Sequence, residues 1–241
     1  KVRLEPSTGI GMSAISSAGS GENVRLLRED EAQFALMAGL YGYYAVNGVG
    51  PLEEEGPQEN VRSVMAVWSN VEHFIIDNTF LDSGTVADFL ALQGETVNLG
   101  AQNSGALGIA RTLMANAGLD IETDFDLVYS GYGPAAEQLQ NGQIAGASLP
   151  AGPPVGAVTQ LMAAASDRVT ILDITDEQIE RLDGGFNLWT RYVIPTGTYP
   201  GQDEDINTMG QPNFLAVNAD VPEEDVYQIT KTVFENLGFL Q

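Results

Sequence analysis

Small residues stand at the start of predicted helices in four places: Gly19–Ser20–Gly21, Asn103–Ser104–Gly105, Gly131–Tyr132–Gly133–Pro134 and Pro150–Ala151–Gly152–Pro153. The first turn of a helix carries unpaired N–H groups and the positive end of its dipole, so each start can seat an anion. Any one of them serves equally as plain capping. Four together describe an α/β chain whose strand ends converge on a ligand. Two further features stay open between packing and contact. His73, inside an apolar stretch from Val71 to Ile76, reads as a satisfied structural histidine or as a ligand contact. Tyr41, with Tyr43 and Tyr44 on one helix, and Tyr132 could cover a bound solute or simply pack.

Catalytic readings fare worse. Ser20, Ser104 and Ser130 have no partner base except His73, and no G-x-S-x-G elbow is present. There is no G-x-x-x-x-G-K-[ST] phosphate loop, and a dinucleotide fingerprint begun at Gly19 fails at Val24. The absence of Cys removes disulfides, thiol nucleophiles and iron–sulfur clusters, and a single His removes His-rich zinc sites. The acidic runs Glu53–Glu55 and Asp203–Asp205 lack the spacing of a calcium loop and read as solvated loops. The expectation is a protein that is not an enzyme, with no catalytic residue, no metal and no cofactor.

Composition sets the setting. The chain has 241 residues and a net charge of −23, and of its ten basic residues only Lys1 and Lys231 are lysine. So negative a field repels phosphate, which argues against nucleic acid. An acidic, lysine-poor surface stays hydrated in brine, so salt adaptation, marine to halophilic, is expected. No apolar run reaches the length of a membrane-spanning helix, and the first residues do not read as a charged-then-apolar leader, so any signal peptide is expected to have been removed or never to have existed.

The elements that must position these residues alternate. Strands are predicted at Val2–Glu5, Ala32–Met37, Val61–Trp68, Val71–Asp77, Thr96–Gly100, Phe125–Tyr129, Ile144–Leu149, Val169–Ile174 and Asn213–Val217. Between them lie helical periods: Ser20 caps one with Val24 and Leu27 inward, and Gly118 stops the helix that starts at Gly105. Pro134 is placed as a first helical residue, and Pro153–Pro154 opens another helix. Thr175 with Gln178, and Asp220 with Glu223, form capping boxes. Residues 184–209 are expected to be mostly loop.

Several blocks carry a resemblance. Gly19–Leu27 with Ala32–Leu36, then Gly100–Gly105, Leu139–Ile144, Pro150–Pro154, Ile194–Gln202 and Asp225–Lys231 resemble the TAXI family of TRAP-associated extracytoplasmic solute-binding proteins. The "IP-x-GTY-x-GQ" and "DVY-x-IT" blocks are specific, and the match covers nearly the whole chain. The resemblance implies an α/β, type II periplasmic-binding-protein fold, with two lobes joined by hinge strands and a ligand cleft between them. Lobe I would take residues 1–77 with 213–241 returning to it, and lobe II residues 78–212. Against the family pattern, a leading strand with a Gly-Gly-x-Tyr loop and a trailing helical stretch are expected outside this chain, which leaves their share of the pocket open.

The implied function is a periplasmic receptor, monomeric, that captures a small polar solute by lobe closure and delivers it to a TRAP-type membrane permease. A carboxylate is the expected solute, such as glutamate, a related acidic amino acid or a dicarboxylate. Candidate contacts are Ser20, Asn23, Tyr41 and His73, and then Asn103, Ser104, Gly105, Tyr132, Gly133 and Pro153. The family lacks a fixed carboxylate-binding Arg, which agrees with helix starts doing that work. The alternative is a ligand-sensing domain that feeds a membrane signalling partner. Salt provides a direct check on the charge reading. Melting temperature should rise between roughly 0.05 M and 1 M NaCl as the Debye length falls to about 3 Å. A flat or falling curve by differential scanning calorimetry removes salt adaptation.

Overall fold

In the computed structural model, which describes residues 9–240, the chain divides into two compact units. One takes residues up to Val67 and from Asn213 onward; the other is Trp68–Pro212. The expected strand at Val2–Glu5 lies outside the described residues. The division falls ten residues before the expected 77/78 boundary, because β3 (Phe74–Asp77) is an interior strand of the second unit's sheet.

In the first unit, α1 (Ser20–Arg28) turns Val24 and Leu27 fully inward, and β1 (Phe34–Ala38) follows after a short turn. β1 runs antiparallel to the last part of β9 (Ile206–Asn218), with Phe34 opposite Val217 and Ala38 opposite Asn213, and β2 (Val61–Val71) flanks β9 on its other side. Helix α2 (Gly39–Asn47) buries Leu40, Tyr41 and Tyr44 and stops at Gly48, whose φ of 62° is the left-handed conformation of a helix end. The Asp220–Glu223 box does not form. Pro222 occupies the cap position of the late helix Glu223–Glu235, and the acidic first turn of Glu223, Glu224 and Asp225 suits its dipole instead. Along that helix Ile229 is buried, while Phe234 is 58% exposed.

The second unit is built on a five-stranded sheet in the order β5-β4-β6-β3-β7: β5 (Asp126–Val128), β4 (Thr96–Asn98), β6 (Gly146–Ser148), β3 and β7 (Val169–Ile171). β5, β4 and β6 are parallel, and β3 is antiparallel to both β6 and β7. Helix α3 (Val86–Leu90) packs Phe89 edge-on against Phe74, ring centroids 5.0 Å apart. Next come α4 (Gly105–Asn116), the single turn α5 (Ile121–Asp124), α6 (Tyr132–Gln140), α7 (Gly156–Ala165) and α8 (Asp176–Asp183). A core of Ile75, Ala135, Leu139, Ala147, Val158 and Leu161 joins α6 and α7 to the sheet. The Thr175–Gln178 capping box is formed, and Gly118 stops α4 at φ 89° with Leu119 N–H returning to Met114 O.

Four local expectations fail for identifiable reasons. The strand break expected at Ser69–Asn70 falls at Glu72–His73, because Ser69 and Asn70 stay within β2. The expected loop at 184–209 contains β8 (Thr190–Ile194) and the start of β9, paired from Thr190↔Gly210 to Ile194↔Ile206. Pro153 opens no helix: Val155 is the cap of α7, three residues after Gly152, and Pro134 is the third residue of α6 rather than the first.

Close packing gives one sharp expectation. A Cβ at Gly146 would lie 2.8 Å from the Phe89 ring and 2.9 Å from Leu92, whereas one at Gly133 would meet open space. Gly146→Ala should therefore cost about 1–3 kcal/mol in urea unfolding, and Gly133→Ala should cost nothing or stabilise slightly. Equal effects would show that the β6–α3 interface yields freely.

Candidate functional site

In the second unit the C-terminal ends of β5, β4 and β6 and the N-terminal end of β3 form one rim, since Phe74 faces Ser148 and Asn98 is registered with both Val128 and Ala147. Asn98 organises it. Its Oδ1 accepts from Gly100 N–H at 2.9 Å and its Nδ2 donates to Ser130 Oγ at 2.8 Å, while the residue is fully buried. That pair of bonds joins the turn that leads into α4 to the turn that leads into α6. Ser104 caps α4 by accepting from Leu107 N–H at 3.1 Å, and Asn103 before it is exposed at φ 61°. Gly100, at φ 123°, lets the chain pass close under this start: a Cβ there would lie 2.9 Å from Leu107 N and from Ser104 Oγ. Helix α6 begins at Tyr132 with Gly131 as its cap and no side-chain cap bond, so its first amides are left to outside partners.

Asn98 thus links the turn before Asn103, Ser104 and Gly105 to the turn before Tyr132 and Gly133. Tyr132 is half-buried and donates its hydroxyl to Pro150 O at 2.6 Å, which ties α6 to the segment holding Pro153. Pro153 itself is half-buried and joined to Pro154 by a cis peptide bond.

His73 is not a surface contact. It is fully enclosed, with Nδ1 at 2.9 Å from Val71 O and Nε2 at 2.7 Å from Tyr199 Oη. A carbonyl can only accept, so Nδ1 carries the proton and Nε2 accepts from Tyr199, whose oxygen in turn accepts from Val155 N–H at 3.1 Å. Burial lowers the His73 pKa to about 4 and keeps the ring neutral. Its physical role is to fasten the start of α7 to the β2–β3 junction. In the first unit, Ser20 and Asn23 spend their side chains on β1: Ser20 Oγ accepts from Ala38 N–H at 3.0 Å, and Asn23 Nδ2 donates to Leu36 O at 2.8 Å. The cap of α1 is Gly19, and Ser20 is its first helical residue. Tyr41 is buried, edge-on to Tyr44.

Sequence reasoning missed Asn98, Tyr199 and Glu72. Glu72 is 1% exposed, with Oε1 accepting from Trp189 Nε1–H at 3.2 Å and Oε2 without a partner. Burial pushes its carboxyl up to about 8, opposed weakly by the Trp189 bond. The phenol of Tyr132 is also pushed up, by burial first and by the Glu72 charge second, which places the two groups within electrostatic reach. The one available signal was a lone Glu inside an apolar run. For Glu72 the folded state binds the proton more tightly than the unfolded one, so stability is full below the ordinary pKa near 4.5 and is lost as pH rises through about 8. His73 acts at the other end, its contribution being lost as pH falls from 6.5 towards 4. Glu72→Gln should therefore gain stability over wild type by roughly 3–4 kcal/mol between pH 5 and pH 8. Parallel denaturation curves at both pH values check this, and a pH-independent difference would mean that Glu72 is ionised in the folded protein.

Among the described residues no group of His, Asp and Glu is arranged to hold a metal ion, and no helix is long and apolar enough to cross a membrane. Solved structures place the fold. PhnD1 from Prochlorococcus marinus MIT 9301, in complex with methylphosphonate, superimposes with a TM-score of 0.59 at 12% identity over 95% of this chain and 74% of its own. A binding protein component of an ABC phosphonate transporter from Pseudomonas aeruginosa gives 0.57 at 12% identity, covering 96% of this chain and 66% of its own. The alkanesulfonate-binding protein from Xanthomonas axonopodis pv. citri, bound to MOPS, gives 0.54 at 14% identity, covering 99% and 67%. The chain thus spans about two thirds to three quarters of these proteins and shares the α/β fold of periplasmic binding proteins. The pattern of the NMT1-like family matches residues 1–241, and the chain belongs to that family.

Proposed function

We propose that the chain is an extracytoplasmic solute receptor of the TAXI kind, which takes up a small carboxylate and passes it to a TRAP-type permease. The observation that supports this reading is that Asn98, at the strand ends, bonds both the turn that leads to the helix start at Ser104 and the turn that leads to the one at Tyr132. Their first-turn amides, Gly105 and Ala106 on α4 and Tyr132 and Gly133 on α6, point along the helix axes and cannot be satisfied within the helices. The solute would be held by these amides, with the capped start of α4 as the primary anion seat.

Arginine is not free for the task. Arg25 and Arg28 are held by Glu29 and neighbouring glutamates, Arg111 by Glu122, Arg168 by Asp77 and Arg191 by Asp176. Arg62 and Arg181 are spent on backbone carbonyls at Glu59 and Ala117. Every arginine among the described residues is so engaged, which supports anion recognition by amides. The phosphonate and sulfonate ligands of the solved neighbours are anions too, in keeping with an anionic solute here.

Ser104→Asp separates cap from seat. Asp caps a helix as well as Ser and suits its dipole, so the melting temperature should hold or rise slightly. The same charge would stand about 4 Å from the solute carboxylate and cost roughly 4 kcal/mol at an effective dielectric near 20, close to three decades of affinity. Calorimetric titration beside thermal melts reads both. Unchanged affinity would put the solute elsewhere, and a collapsed melting temperature would make Ser104 a packing residue.

A further inference from the structure

The same rim holds two buried side-chain atoms that have no partner, Glu72 Oε2 and Ser148 Oγ. By register they stand on facing segments, two positions apart. Ser148 ends β6 opposite Phe74, and Glu72 lies two residues before Phe74. Glu72 is also held rigidly: its N–H donates to Met209 O at 2.9 Å, its carbonyl accepts from Thr208 Oγ1 at 2.8 Å, and Trp189 fixes one carboxyl oxygen. One oxygen is satisfied and the other is buried without a partner. A buried carboxyl oxygen with no hydrogen-bond partner leaves its desolvation penalty unrepaid, whether it carries the proton or not, so such an atom calls for a partner from beyond the chain.

The ionisable neighbours do not supply that partner. His73 is committed to Val71 and Tyr199, and Tyr132 donates to Pro150 O. Arg191 on β8 is taken by Asp176 and by the carbonyls of Ile174 and Thr208. Asp183 accepts the N–H groups of Asn187, Leu188 and Trp189.

We propose that Glu72 and Ser148 form a subsite for a hydrogen-bearing nitrogen of the solute, an ammonium or amidinium group, whose arrival expels the Glu72 proton to solvent. This rests on the carboxylate-receptor reading, with the solute carboxylate at α4 and its nitrogen at Glu72. The balance is simple: the carboxyl O–H breaks, its proton leaves to buffer, and the nitrogen keeps its hydrogens and pairs with the carboxylate. Burial keeps the free carboxyl protonated at pH 7, and an adjacent positive charge reverses that preference. Enclosure strengthens the pair and makes it discriminating.

Titration calorimetry at pH 7, in buffers of different ionisation enthalpy, compares L-glutamate with glutarate, its analogue without nitrogen. Wild type should prefer L-glutamate by about tenfold or more and release about one proton per solute bound. Glu72→Gln should lose both the preference and the proton release while still binding glutarate, which also shows that the variant is folded. Ser148→Ala should weaken L-glutamate alone and keep the proton release. Equal affinities in wild type, or an unchanged preference in Glu72→Gln, overturn the subsite and leave an internal water as the partner of Oε2. Should wild type bind neither compound, the carboxylate reading falls first and the subsite with it.

Discussion

The side chain of Asn98 is the constraint on which the second unit's rim depends. Its amide oxygen accepts from the turn before α4 and its amide nitrogen donates to the turn before α6, and the residue has no exposure to water with which to replace either bond. Two parallel neighbours, β4 and β5, therefore have the turns that lead into their helices fastened to one side chain. Gly100 completes the arrangement, because any Cβ there would strike Ser104 and Leu107.

Around this rim the polar groups divide into spent and unspent. The His73–Tyr199–Val155 chain is closed, each donor meeting an acceptor, and it behaves as a fastening between α7 and the β2–β3 junction. Glu72, the adjacent residue, is the opposite: half of its carboxyl is unmatched and its proton is retained by burial. Adjacent buried ionisable residues with pKa values pushed in opposite directions are neutral together at pH 7, so the fold tolerates both. Surface ion pairs contribute little beside them. Pairs such as Arg25–Glu29 and Arg111–Glu122 are exposed, and their main effect is to occupy the few arginines.

Much was legible in the sequence because it is local. The inward face of α1, the Ser104 cap, the Gly118 stop and the Thr175–Gln178 box follow from residue types a few positions apart, where rotamer and backbone geometry decide. The alternation of strands and helices gave the α/β class for the same reason, and the absence of Cys and the charge of −23 are properties of the list itself. The helix starts at Ser104 and Tyr132 were also visible as candidates, although not the Asn98 bonds that link the turns before them.

What only the tertiary structure decided is which polar groups are used up. Ser20 and Asn23 look free in sequence, yet β1 claims both, and His73 is claimed by Tyr199 from 126 positions away. The loop expected at 184–209 became β8 because a partner strand, β9, offered its edge, and strand pairing is a property of two segments rather than one. Glu72 gave almost no signal, since its unusual state comes from enclosure by Trp189, Thr208 and Met209 on segments over a hundred residues later. Burial and long-range hydrogen bonding are set by how distant segments close on one another, and no local pattern encodes them.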